Sequence, residues 1–195
     1  MGTTGSEGVD PAEIRVLLDE QAVKKVHLRY CRGVDRHDWE LVAECFHEDG
    51  VDNHGLYDGG YEGFIEFAKQ FVDAAEVSLH FVCNQLVDVE GDVAWHEASC
   101  IYYERSVATD DYPEYDRTVL FRYFDRMERR EGKWGIVDRV VLNDGERQAP
   151  IHDSLLPLPP WHFGSDDRTD PSYNRKIPQV EYLADYVSSR PTSGA

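Results

Sequence analysis

Apolar positions in the first third of the chain recur at three- and four-residue intervals, the spacing of helices with one buried face. The pattern opens at Asp10-Pro11, an N-cap residue followed by proline at the first helical position. From Ala12 to about Val34 the stripe comprises Val16, Val23, Val26, Tyr30 and Val34, widened by Ile14, Leu17 and Leu18. A shorter helix fits Asp38 to Phe46, capped by Asp38, with Trp39, Leu41, Val42, Cys45 and Phe46 on its buried face. His47 to Gly60, rich in Asp and Gly, reads as a loop, and Tyr61 to Ala75 as a third helix through Phe64, Ile65, Ala68, Phe71 and Val72.

The period then changes to two. Ser78 to Val89, Val93 to Arg105, Arg117 to Arg129 and Lys133 to Leu142 read as strands, punctuated by the turns Glu90-Gly91-Asp92 and Glu131-Gly132. Helices followed by strands predict an α+β fold. Short connections predict an antiparallel meander whose concave face the helices cover, enclosing a pocket.

At 195 residues, 41% of them apolar, the chain fits one domain over residues 11–148. The Gly-, Ser- and Thr-rich residues 1–10 read as disordered. Residues 149–195 read as an extended tail that wraps the domain or a neighbouring subunit, anchored by Trp161 and Phe163 and disordered beyond about Tyr186. The net charge of −18 would repel a phosphate backbone, so nucleic acid is a poor partner. No apolar run is long enough for a membrane helix and the N-terminus lacks a signal-peptide pattern, which places the protein in the cytoplasm. The widely spaced Cys31, Cys45, Cys83 and Cys100 read as reduced core thiols.

Asp35, in the turn after the first helix, and His80, opening the first strand, are the leading candidates for chemistry. Each alone has an ordinary explanation, as a turn carboxylate or as a core histidine bonded to backbone. Beneath a pocket wall, however, Asp35 can accept a hydrogen bond from one imidazole nitrogen and leave the other to take a substrate proton. Strand alternation puts His80, Val82 and Asn84 on one face. Tyr30 is either a core aromatic or a phenol that polarises the substrate, and unwinding of the helix beyond Gly33 would bring it to Asp35.

On the second strand Ala94, His96, Ala98, Cys100, Tyr102 and Glu104 share a side, with the small residues leaving room for a ligand. The last strand aligns Val137, Arg139, Val141 and Asn143. Arg139 there either stabilises an oxyanion or pairs with a carboxylate. Trp39 and Tyr57 complete an aromatic lining with Tyr30 and Tyr102 that suits a bulky apolar ring system. Neither HExxH nor paired CxxC occurs, and His37, His47 and His54 stand at no ligand spacing, so no metal is expected. GxSxG, P-loop and GxGxxG signatures are also missing.

The runs Arg29-Tyr30-Cys31-Arg32-Gly33-Val34-Asp35-Arg36-His37-Asp38-Trp39 and Cys45-Phe46-His47-Glu48-Asp49, then His80, Gly91-Asp92-Val93-Ala94 and the run Arg126 to Trp134, resemble SnoaL-like proteins of the nuclear transport factor 2-like superfamily. The resemblance covers roughly residues 12–145. It implies a cone of curved sheet and three helices, as in scytalone dehydratase, bile-acid 7α-dehydratase and the lindane dehydrochlorinase. It also implies a catalytic aspartate at Asp35, a catalytic histidine at His80 and a functional tyrosine at Tyr30, with no cofactor.

Other family positions differ. The acid of the bile-acid enzyme falls on Tyr102 and its arginine near Asn143, the dehydrochlorinase arginine near Arg139, and the second histidine of scytalone dehydratase around Glu104. The implied activity is a lyase, a dehydratase or related elimination or isomerisation, on a hydrophobic cyclic substrate such as a steroid or polyketide. The alternative is a non-catalytic binding or assembly protein, including a dioxygenase small subunit. The superfamily also implies a homo-oligomer, dimer or trimer, joined through an outer sheet face carrying Trp95, Ile101 and Tyr103.

Overall fold

A computed structural model describes residues 8–108, 113–151 and 164–175. Trp161, Phe163, most of the N-terminal stretch and the chain beyond 175 lie outside the described residues. The Asp10 carboxylate accepts the Ala12 N–H at 2.9 Å and opens helix α1, Pro11–Asp35. Val23, Val26, Tyr30, Cys31 and Val34 form its buried stripe, but Ile14, Val16, Leu17 and Leu18 are exposed. The first buried residue is Asp19, so the two turns before it lie beyond the core. Asp19 accepts hydrogen bonds from the Trp134 indole at 3.1 Å and Arg129 Nη1 at 2.7 Å, which ties the helix to the sheet.

Helix α2 is only Trp39–Ala43, capped by Asp38, and it packs so closely on α1 that a Cβ at Gly33 would lie 2.7 Å from the Val42 side chain. It stops early because Phe46 already begins a strand. The expected loop contains β1, Phe46–Asn53, and β2, Asp58–Gly60. Little in FHEDGVDN favours a strand; β1 exists because it pairs in parallel with the last strand, setting Asp52 beside Arg139. Helix α3 spans Tyr61–Val72.

The remaining strands are β3, Ala75–Glu90; β4, Val93–Ser106; β5, Tyr115–Arg130; and β6, Lys133–Pro150. They form the expected antiparallel meander within a six-stranded sheet of order β2-β1-β6-β5-β4-β3. Positive φ at Gly91 and Gly132 lets the two hairpins turn tightly. A bulge between Val82 and Gln85 inserts one residue and reverses the phase of β3. Gln85, not Asn84, therefore turns inward, and Cys83 is exposed while Cys31, Cys45 and Cys100 are buried.

Helices α1 and α3 cover the inner face, where Ala94, Ala98, Phe121, Tyr123 and Met127 meet them. The outer face leaves Phe81, Ile101, Leu120 and Leu142 exposed, with Trp95 stacked on Phe124 at 5.7 Å; Tyr103 instead donates to Asp116 at 2.7 Å. Among the described residues no helix is long and apolar enough to cross a membrane. Residues 164–175, including the short helix α4, Pro171–Asn174, lie on the α1–α2 corner. There Arg168 donates to Asp38 at 2.8 Å and to Glu40 at 2.8 Å, and Arg32 donates to Ser172 at 3.0 Å.

A charged group sits at the centre of this core. Arg139 and Asp125 are both fully buried, and the guanidinium donates through Nε at 2.6 Å and Nη2 at 2.8 Å. Nη2 also donates to His27 Nδ1 at 3.1 Å, and His96 Nδ1 donates to Asp125 at 3.0 Å. The rings of Tyr30 and Tyr123 lie 4.1 and 4.4 Å from the guanidinium carbon, within cation–π range. Burial pushes the Asp125 carboxyl up, but the charge and hydrogen bonds of Arg139 overcome it and hold the group well below the usual carboxylate range. Burial and then Arg139 hold His27 well below the usual imidazole range, so it is neutral in the fold.

Asp125→Ala strands a buried guanidinium and should cost roughly 3–5 kcal/mol in urea unfolding. His27 remains neutral in the fold while the unfolded chain gains a proton below about pH 6.5, so its contribution is whole above that pH and declines below it. His27→Asn should therefore flatten the loss of unfolding free energy between about pH 7 and about pH 5.

Candidate active site

The last turn of α1 and the start of β3 bring Asp35 and His80 into contact. Asp35 Oδ1 accepts from His80 Nδ1 at 2.6 Å, and its two oxygens accept the His80 backbone N–H at 3.1 and 3.0 Å. The carboxylate thus grips both the ring and the main chain of one residue. With Nδ1 donating, Nε2 holds the lone pair, and it makes no hydrogen bond among the described residues. The side chains are nearly buried, 12% exposed for Asp35 and 7% for His80.

His80 lines a cavity of about 420 Å³ between the helices and the sheet. Its apolar wall is Val34 of α1, Phe64, Phe67 and Phe71 of α3, and Val119 and Phe121 of β5. The volume lies within the range of sites that enclose small molecules. Asp35 does not line this cavity; it stands behind His80, at a smaller hollow bounded by Leu28, Arg32 and Arg36. Tyr30 does line it, but α1 stays wound through Asp35, so tyrosine and aspartate remain about 140° apart around the helix and do not meet.

Tyr102, directly across from His80 in the β3–β4 register, also lines the cavity, its ring 4.9 Å from the imidazole. Its hydroxyl shares a hydrogen bond with Ser78 at 3.2 Å. Burial pushes this phenol well above its usual range, so it stays protonated and able to donate. Asn143, Glu104 and Arg117 add polar groups to the cavity wall. Arg117 donates to Glu146 at 2.9 Å, yet its Nε is buried with no partner among the described residues.

Three expected lining residues lie elsewhere. Arg139 is beneath the floor, committed to Asp125 and His27, so its salt-bridge role is the one realised. Trp39 stacks beside His37 at 6.0 Å, outside the cavity. Tyr57 packs on Phe67 at 5.5 Å and donates to the Gly60 carbonyl at 2.7 Å, bracing the aromatic wall from behind.

His54, passed over as a loop histidine, does line the cavity, stacked on Phe64 at 4.3 Å with Nδ1 bonded to Asp52. The alternation Asp52-x-His54 was its one signal, and it has meaning only once β1 is known to be a strand. His27, His96 and Asp125 offer ligand atoms within 4.8 Å of one another. Arg139, bonded to two of those side chains, already supplies the cation that such a cluster would attract.

Solved structures share this architecture. A hexachlorocyclohexane dehydrochlorinase from Novosphingobium barchaimii is 16% identical, with a TM-score of 0.65 over 75% of this chain and 99% of its own. A protein from Novosphingobium aromaticivorans assigned provisionally as a scytalone dehydratase is 18% identical, with a TM-score of 0.61 over 71% and 97%. A protein of unknown function from Mycobacterium tuberculosis is 24% identical, with a TM-score of 0.59 over 70% and 78%. A protein of unknown function with a cystatin-like fold from Nostoc punctiforme, with a TM-score of 0.53 over 65% and 92% at 19% identity, extends the likeness of fold. By sequence, no curated protein matches. The family model for the SnoaL-like domain matches residues 15–140, and the chain belongs to that family.

Proposed function

We propose that the chain is a cofactor-independent lyase, a dehydratase or related enzyme of elimination or isomerisation, acting on a hydrophobic cyclic substrate such as a steroid or polyketide. The observation that carries this reading is the 2.6 Å contact of Asp35 with His80 at the wall of a largely apolar cavity. Asp35 fixes the ring orientation and balances the imidazolium that forms when Nε2 takes a proton. The proton is one on carbon beside a carbonyl. Tyr30 and Tyr102 supply phenols on the same cavity, suited to bonding the carbonyl oxygen as charge develops on it. The aromatic wall excludes water and strengthens these interactions.

The test is turnover of a panel of polycyclic β-hydroxy ketones, including hydroxylated steroids, by the wild type, Asp35→Asn and His80→Gln. The expected outcome is α,β-unsaturated ketone formed by the wild type, with kcat lower by about 10²–10⁴-fold in His80→Gln and reduced in Asp35→Asn. A wild type that binds these ketones as tightly as both variants and returns them unchanged would instead be a binding protein of this fold.

A further inference from the structure

Among the described residues one imidazole besides His80 faces the cavity, and it too has a carboxylate behind it. His54 follows β1 and bonds through Nδ1 to Asp52, which is fully buried. Nε2 of His54 makes no hydrogen bond among the described residues. The two imidazoles flank the same aromatic ring, Tyr123, with centroids 6.1 Å away for His54 and 6.4 Å for His80. They therefore address a common space from different elements, β1 and β3.

Charge balance separates their roles. The fully buried carboxylates Asp52 and Asp125 share one fully buried guanidinium, and Arg139 gives both of its carboxylate hydrogen bonds to Asp125. Asp52 Oδ2 is left without a partner among the described residues, and the bonded neighbour of Asp52 is His54. A buried carboxylate oxygen left without a donor is costly, so Asp52 holds the Nδ1 proton of His54 and keeps that ring turned with Nε2 as its unbonded nitrogen. His54 Nε2 is therefore a second site for proton exchange with a ligand in the cavity, beside His80 Nε2. Asp35, unlike Asp52, has the His80 backbone N–H as a further donor.

We propose that His54 is the general acid of the cavity, paired with Asp52, and that the ligand carries a hydroxyl leaving group β to its carbonyl. This rests on the elimination reading above. His80 Nε2 takes the proton on the α carbon, and that C–H pair becomes the C=C bond. The C–O bond breaks with its electron pair going to oxygen, which takes the His54 Nε2 proton and leaves as water. His80 ends protonated and His54 deprotonated, and exchange with solvent restores both. The atoms balance with no oxidant or reductant.

The test compares a polycyclic β-hydroxy ketone with the β-chloro ketone of the same skeleton, because chloride departs without a proton. His54→Gln should slow hydroxide loss at least about 100-fold more than chloride loss, whereas His80→Gln should slow both alike. Equal slowing of the two reactions by His54→Gln, or none, overturns the proposal and leaves the elimination reading standing. Wild type that eliminates neither group overturns both.

Discussion

The site depends on one carboxylate at a helix end that binds a strand twice. By accepting from both the main chain and the ring of His80, Asp35 fixes where α1 ends relative to β3 and how the imidazole is turned. A carboxylate held only by a side chain could follow that side chain through its rotamers. One held also by a backbone N–H cannot, so the orientation of the imidazole is set by the packing of α1 on the sheet. Asp19 does the equivalent work where the same helix first meets the core, on Arg129 and Trp134.

Below the cavity, Arg139 organises the polar core much as a bound ion would. It neutralises Asp125, orients the ring of His27 and lies against the faces of Tyr30 and Tyr123. Those two tyrosines line the cavity above it, so the floor of the site is rigid because a buried charge has few alternative arrangements. Specificity of this kind is obtained at a desolvation cost that a purely apolar core would avoid.

Local pattern was sufficient wherever an element is stabilised mainly by its own periodicity. Helices α1 and α3 and strands β3 to β6 were legible in that way, as was the meeting of Asp35 with His80 once the resemblance aligned them. What could not be read were features that arise from pairing at a distance. β1 is a strand only because β6 lies beside it, and without β1 there was no reason to couple Asp52 to His54. The bulge in β3 exchanged Gln85 for Asn84 by adding one residue, which no alternation count can detect. Arg139 was correctly placed on an inward face, but whether it met solvent-filled space or a carboxylate depended on Asp125, a residue whose own role was unread.

The corner formed by residues 164–175 has a consequence of a different kind. Its grip on Arg32, Arg36 and Asp38 brackets Asp35 in sequence and consists largely of charged contacts with partial exposure. Screening acts on such contacts over about 8 Å at physiological ionic strength, while the aromatic wall and the buried Arg139 centre are shielded from it. Salt concentration therefore addresses the outer support of the helix end selectively, leaving the hydrophobic chamber it serves untouched.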